Sequence, residues 1–256
     1  MKVKGVIFDF GFTLFYFDEP SIEKYFECFK TGLVDSIDLL KKHNILKEKI
    51  AIEDFIKIFN RKRASSFKKS IKTKLEIPTS IIFQKVLKIM VDKNAINDSD
   101  ELNDQFYMEL ANIYHSCEED EWIPFENTRD TLEKLVLKNL KIALISNHPN
   151  HKTIENVLIK HDLFRFFDIV VTSAKFGKRK PDANIFFHTL KKMGLESHAN
   201  SVMMCGDEYA DIIGAYRTNL KAILLDRKYK FPFEKEINVP NYIKVKDVSE
   251  ILNFID

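Results

Sequence analysis

Seven positions carry side chains able to do chemistry in the order in which an α/β chain would deliver them. Asp9 follows the apolar run Val6-Ile-Phe8, and Thr13 comes shortly after it. Ser146 and Asn147 follow Ile142-Ala-Leu-Ile145, and Lys180 stands directly before a proline. Asp207 follows Val202-Met-Met-Cys205 and Gly206, with Asp211 one helical turn further on. A carboxylate, a hydroxyl with an amide, a lysine and a carboxylate pair together suit phosphoryl chemistry. An Asp can attack phosphorus and form an aspartyl-phosphate that water then cleaves. Its own charge repels a phosphate dianion, and a bound Mg²⁺ removes that repulsion. Mg²⁺ takes oxygen ligands and keeps several waters, so Asp9 and Asp207 suffice as side-chain ligands, with Asp211 binding directly or holding a metal water. Lys180 neutralises further charge, and Ser146 with Asn147 donates hydrogen bonds to phosphate oxygens.

The elements that must position these residues are legible in the apolar pattern. Val6–Phe8, Ile142–Ile145, Ile169–Val171, Val202–Cys205 and Ala222–Leu225 have the length and continuity of strands buried on both faces. Helical segments are expected between them at Thr128–Leu137, His151–His161, Pro181–Met193 and Glu208–Thr218. Tyr242–Val245 and a final helix over Val248–Ile255 add one more unit. Strand alternating with helix predicts an α/β fold, a parallel sheet covered by helices on both faces. Ligands of such sheets bind beyond the carboxyl ends of the strands, where these positions converge.

The stretch from about 20 to 120 reads differently. Between Gly32 and Gly177 there is no glycine, and prolines are few. Leu33, Ile37 and Leu40, then Ile82, Val86 and Met90, then Leu102, Phe106, Leu110 and Ile113 recur at helical spacing. This predicts a helical unit joined by polar loops.

Four segments, in order, now resemble the four motifs of the haloacid dehalogenase-like superfamily. Val6-Ile-Phe-Asp9-Phe-Gly11-Phe-Thr13-Leu is similar to the first, and Ile142-Ala-Leu-Ile-Ser146-Asn147 to the second. Phe176-Gly-Lys-Arg-Lys180-Pro-Asp resembles the third, and Cys205-Gly-Asp207-Glu-Tyr-Ala-Asp211 the fourth. The resemblance covers about 1–16 and 123–256. It implies a Rossmann-like catalytic core over those residues and a helical cap, inserted between the first two motifs, over 17–122. It also implies that the backbone carbonyl of Gly11 joins Asp9, Asp207 and Asp211 around the metal.

The resemblance has one gap. Most phosphatases of the superfamily carry a second Asp two residues after the nucleophile, where it protonates the leaving group and activates water; here that position is Gly11. Its loss costs roughly 10²–10⁴-fold unless compensated. Three readings follow: a substrate with a good leaving group, a replacement acid such as Asp18, Glu19 or a cap residue, or feeble catalysis. The resemblance therefore implies a Mg²⁺-dependent phosphatase acting on a small phosphorylated metabolite through Asp9. A 2-haloacid dehalogenase, a non-enzymatic binding protein and a phosphomutase are the alternatives; Asp207 and Asp211 speak against the first, and the missing acid against the last.

Composition limits the rest. The 256 residues carry a net charge of only +2, which gives no sign of a nucleic-acid or membrane-surface partner. The Lys57–Lys74 stretch reads as an exposed basic helix face, and Lys178 and Arg179 as solvated neighbours of Lys180. His115, His148 and His151 show no ligand spacing. Cys28, Cys117 and Cys205 lie far apart, so neither disulfide nor zinc site is expected, and a reducing cytoplasm fits.

Overall fold

The computed structural model describes residues 2–17, 22–226 and 235–255, with no account of the side chains of 22, 23 and 25. Asp18 and Glu19 therefore lie outside the described residues.

Six strands form one parallel sheet: β1 (Gly5–Phe8), β4 (Lys141–Ser146), β5 (Ile169–Thr172), β6 (Val202–Gly206), β7 (Lys221–Leu225) and β8 (Tyr242–Val245), in the order β5-β4-β1-β6-β7-β8. All the expected strands are present. Their continuous apolar runs are sorted by the two-residue period of a strand onto two cores. Val6, Phe8, Ile142, Leu144, Met203 and Cys205 face one side, where α5 (Thr128–Leu137) and α6 (His151–Lys160) supply Leu132, Leu135, Ile154 and Val157. Ile7, Ala143, Ile145 and Met204 face the other, against Ile185, Phe186 and Leu190 of α8 (Ala183–Met193) and Ile212 of α9 (Tyr209–Arg217). The core is thus an α/β sheet with helices on both faces.

Two expectations change at the edges. The helix expected from Pro181 begins at Ala183, because Asp182 takes the N-cap position and accepts from the Asn184 N–H. The final segment, Val248–Phe254, is a 3-10 helix, not an α-helix; Asp247 and Glu250 close a capping box at its start.

Two short strands escape the sequence pattern. β2 (Phe15–Phe17) and β3 (Trp122–Pro124) pair antiparallel, with Phe17 opposite Trp122. Between them run α1 (Ile22–Lys42), α2 (Lys49–Thr73), α3 (Thr79–Asp92) and α4 (Asp104–Glu121). These helices bury an apolar cluster of their own, including Leu40, Phe55, Phe59, Phe83, Val86, Met90, Leu110 and Tyr114. The expected stripes at Leu33, Ile37 and Leu40 and at Ile82, Val86 and Met90 lie in it. Cys28 of α1 and Cys117 of α4 form a disulfide, Cα atoms 5.5 Å apart. The sequence reading expected none. The two residues are 89 apart in the chain, and only the packing of α1 on α4 brings them together.

Candidate active site

The parallel register builds the site. Phe8 of β1 pairs with Leu144 of β4 and Cys205 of β6, so the next residues of the three strands, Asp9, Ile145–Ser146 and Gly206–Asp207, emerge on one rim. The Asp9 N–H donates to the Cys205 carbonyl at 2.9 Å, which extends the pairing one residue past the strand. Asp9, Ser146, Asp207, Asp211 and Lys180 are all buried.

Lys180 is the centre of the arrangement. Its Nζ donates to Asp9 Oδ1 and, at 2.9 Å, to the carbonyl of Ile145, and it lies 2.7 Å from Asp211 Oδ1. Burial by itself lowers an ammonium's pKa; here the Asp211 and Asp9 carboxylates outweigh burial and hold Lys180 above its ordinary value. At Asp211 burial pushes the carboxyl upward, opposed by the Lys180 ammonium and reinforced by the charge of Asp9.

Asn147 fixes Lys180 from below. The Lys180 N–H donates to Asn147 Oδ1 at 2.8 Å, and Asn147 Nδ2 donates to the Lys180 carbonyl at 3.1 Å. The amide is thus engaged with backbone. Nor does Asn147 cap the following helix: Asn150 does, accepting from the Lys152 N–H. Thr13 is fully buried and donates to Asp207 Oδ1 at 3.2 Å. Asp211 Oδ2 accepts the Glu208 N–H at 3.2 Å, half of a capping box that starts α9. Gly206 leaves the room for this: a Cβ there would stand 2.2 Å from Asp211 Cγ.

The space beside Gly11 is tight as well. A Cβ on it would meet Trp122 Cη2 at 3.0 Å. The indole packs edge-on against Phe10, Phe12 and Phe17 with ring centroids 5.0–5.5 Å apart. The space beside the backbone at position 11 is filled by an aromatic residue from the exit strand of the helical unit.

Oxygen atoms of Asp9, Asp207 and Asp211 lie within 4.8 Å of one another. Two of these buried carboxylates, Asp9 and Asp211, pair with the Lys180 ammonium. An all-oxygen donor set of this kind suits Mg²⁺.

The helical unit is tied to the core beside Lys180. Arg179 Nη1 pairs with Glu76 Oε2 at 2.5 Å, and Ser173 Oγ donates to the same oxygen at 2.5 Å. The Glu76 N–H donates to the Gly177 carbonyl and the Arg179 N–H to the Lys74 carbonyl, both at 2.9 Å. Arg179 is therefore no solvated neighbour, contrary to the sequence reading; its partner lies 103 residues earlier in the chain. Lys178 keeps a half-exposed surface pairing with Asp182 at 3.3 Å. A second convergence was likewise invisible in the sequence. His115 and Glu118 of α4 meet His148, two residues after Ser146.

This sheet order, with a carboxylate after β1, a hydroxyl at the end of β4 and a carboxylate pair after β6, defines a Rossmann-like α/β core. Residues 45–225 match the family model of the haloacid dehalogenase-like hydrolases. The chain belongs to that family. It is 39% identical over 103 residues to a glyceraldehyde 3-phosphate phosphatase of Methanothermobacter thermautotrophicus, covering 40% of this chain and 45% of that protein. It is 31% identical over 119 residues to haloacid dehalogenase-like hydrolase domain-containing protein 3 of Danio rerio, covering 46% of this chain and 48% of that one. The chain spans about half the length of these curated relatives. Among solved structures, a 2-haloacid dehalogenase of Pseudomonas syringae superposes with a TM-score of 0.66 at 19% identity, covering 98% of this chain and 97% of that one. At that identity the likeness establishes the fold.

Proposed function

We propose that this chain is a Mg²⁺-dependent phosphatase that hydrolyses a small-molecule phosphomonoester through an aspartyl-phosphate on Asp9. The observation that carries the proposal is the Lys180 ammonium held between Asp9 and Asp211, with Asp207 beside them. Relatives named as glyceraldehyde 3-phosphate and phosphoglycolate phosphatases support it.

Asp9 and Asp207 would hold the cation with the Gly11 carbonyl. Asp211, whose two oxygens are engaged by Lys180 and by the Glu208 N–H, would act at one remove. Bound Mg²⁺ supplies neutralisation of charge between carboxylate and phosphate.

Asp9 then attacks phosphorus: an Asp9 oxygen–phosphorus bond forms, the bond to the leaving oxygen breaks, and that oxygen takes a proton from solvent water. Water attacks the aspartyl-phosphate, giving inorganic phosphate and free Asp9. Lys180 and the Ser146 hydroxyl stabilise the phosphoryl oxygens, and Asn147 orients Lys180. With Gly11 in place of an acid, a substrate whose leaving oxygen needs little protonation fits best. The helical unit, spanning 17–122 as a cap, would exclude water and select the substrate.

Cytoplasmic location belongs to this proposal through the sparse cysteines, while the Cys28–Cys117 disulfide weighs against it, disulfides being rare in reducing compartments. Among the described residues no helix is long and apolar enough to cross a membrane.

Phosphate release from an aryl phosphate, with Mg²⁺ and then with a chelator, tests the reading. Activity that the chelator abolishes supports it. No release with any divalent metal would leave a binding protein on this fold, and metal-independent halide release from a 2-haloacid would make it a dehalogenase.

A further inference from the structure

At the seam between α4 and the loop after β4 lies a second cluster of ligand-type side chains, made of two imidazoles and one carboxylate. His115 and Glu118 stand one helical turn apart on α4, which places them on one face of the helix. His148 comes from the loop that follows Ser146 at the end of β4 and also carries Asn147. All three are buried, Glu118 completely. One donor atom from each lies within 4.8 Å of the others.

Glu118 serves both rings. Its Oε1 is 2.5 Å from His115 Nδ1, and its Oε2 is 3.2 Å from His148 Nε2. The outer nitrogens are held as well. His115 Nε2 is 2.8 Å from Thr79 Oγ1, and His148 Nδ1 is 2.6 Å from the carbonyl of Asn150. Metal-bound imidazoles are characteristically fixed in this way, the nitrogen away from the metal bonded to a carbonyl or hydroxyl that sets ring orientation and tautomer.

We propose that His115 Nδ1, Glu118 and His148 Nε2 form a second metal site that takes a borderline divalent transition ion of the zinc(II) class. Two imidazoles and one carboxylate are a zinc donor set, and imidazole selects such ions over magnesium. Donor atoms on a zinc ion stand about 3–3.5 Å apart. The pair at 3.2 Å already meets that spacing, and the His115–Glu118 pair at 2.5 Å must open to reach it. The exchange balances: with His148 bearing protons on both nitrogens, the metal displaces the one on Nε2 to solvent. The His115 proton that faces Glu118 from Nδ1 leaves that nitrogen to the metal, and one is taken up on Nε2, where Thr79 Oγ1 accepts it. One carboxylate leaves the loaded site with a single net positive charge, and Arg63 of α2 adds an unfavourable charge near His115. The site joins the helical unit to the loop that follows Ser146 and bears Asn147, so an ion there would stiffen that joint.

The test uses the full chain carrying Asp9→Asn and Asp207→Asn, which removes the carboxylate site from the count. Zinc chloride is added to chelator-stripped protein in excess Mg²⁺, unbound metal is removed, and zinc is measured by elemental analysis. One equivalent retained, and lost in the further variant His115→Gln/His148→Gln, is the expected result. Zinc content near zero, or unchanged by the histidine substitutions, overturns the proposal and leaves the trio as a hydrogen-bonded tie. Should the histidine variant not fold, cobalt(II) added to the protein with both histidines intact decides. The proposal requires visible absorption stronger than that of the aquo ion, and a spectrum identical to the aquo ion contradicts it.

Discussion

The side-chain amide of Asn147 makes both of its hydrogen bonds to the backbone of Lys180, accepting from the N–H at 2.8 Å and donating to the carbonyl at 3.1 Å. This pair welds the second motif to the third and aims the Lys180 ammonium at Asp9. Asn147→Ala should lower turnover on an aryl phosphate by roughly 10–100-fold through misplacement of Lys180. It should also cost about 1–3 kcal/mol of stability, because two buried backbone groups lose their partner. Denaturant unfolding beside steady-state kinetics checks both. A variant of unchanged turnover and stability would show that Lys180 is positioned without the amide.

Gly206 makes a sharper prediction. A methyl group there would collide with the Asp211 carboxylate, so Gly206→Ala must displace Asp211 or shift β6. The expected loss is about 1–3 kcal/mol from overpacking, with a fall in turnover as Lys180 loses one of its two carboxylate partners. A crystal structure of the variant with neither Asp211 nor β6 moved would contradict the account.

Position 11 tests whether the missing acid can simply be restored. The indole of Trp122 occupies the space next to the Gly11 backbone, and the ring is wedged among Phe10, Phe12 and Phe17. Gly11→Asp should therefore fail to raise the rate on substrates with poor leaving groups and should lower stability by about 1–3 kcal/mol. A rate gain of tenfold or more on an alkyl phosphate would show that the indole yields and that the acid alone was wanting.

The Glu76–Arg179 pair is the tie between helical unit and core nearest to Lys180. The Glu76 side chain is 2% exposed and that of Arg179 12%, so removing one partner leaves a largely buried charge unpaired. Glu76→Ala should cost about 3–5 kcal/mol. Amide exchange should quicken over residues 74–79 and 173–179, where the backbones of the two units bond each other. Unaltered exchange in that region would remove the pair from the docking.

The sheet was legible from sequence because strands buried on both faces read as unbroken apolar runs, and helix α5 matches its expected bounds from Thr128 to Leu137. The rim was legible because strand order and motif spacing place Asp9, Ser146 and Asp207 at strand ends. What stayed hidden depends on partners far away in the chain. Glu76 and Arg179, Cys28 and Cys117, and the His115–Glu118–His148 trio meet only when α4 and the segment after α2 dock on their neighbours. The pairing of β2 with β3 was missed because three residues are too few to show alternation. The 3-10 geometry of Val248–Phe254 leaves no mark in an apolar spacing that suits either helix. Gly11 showed as an absence in the sequence, and only the structure shows Trp122 packed beside it.

The aspartyl-phosphate on Asp9 is the central claim, and trapping it is the most direct test. The protein is mixed with an aryl phosphate and Mg²⁺, quenched in acid within a turnover and digested for mass spectrometry. The account predicts one phosphoryl group on the peptide that carries Asp9, absent when Mg²⁺ is chelated and absent in Asp9→Asn. Sustained turnover with no phosphorylated peptide, or Asp9→Asn turning over at the wild-type rate, would contradict it.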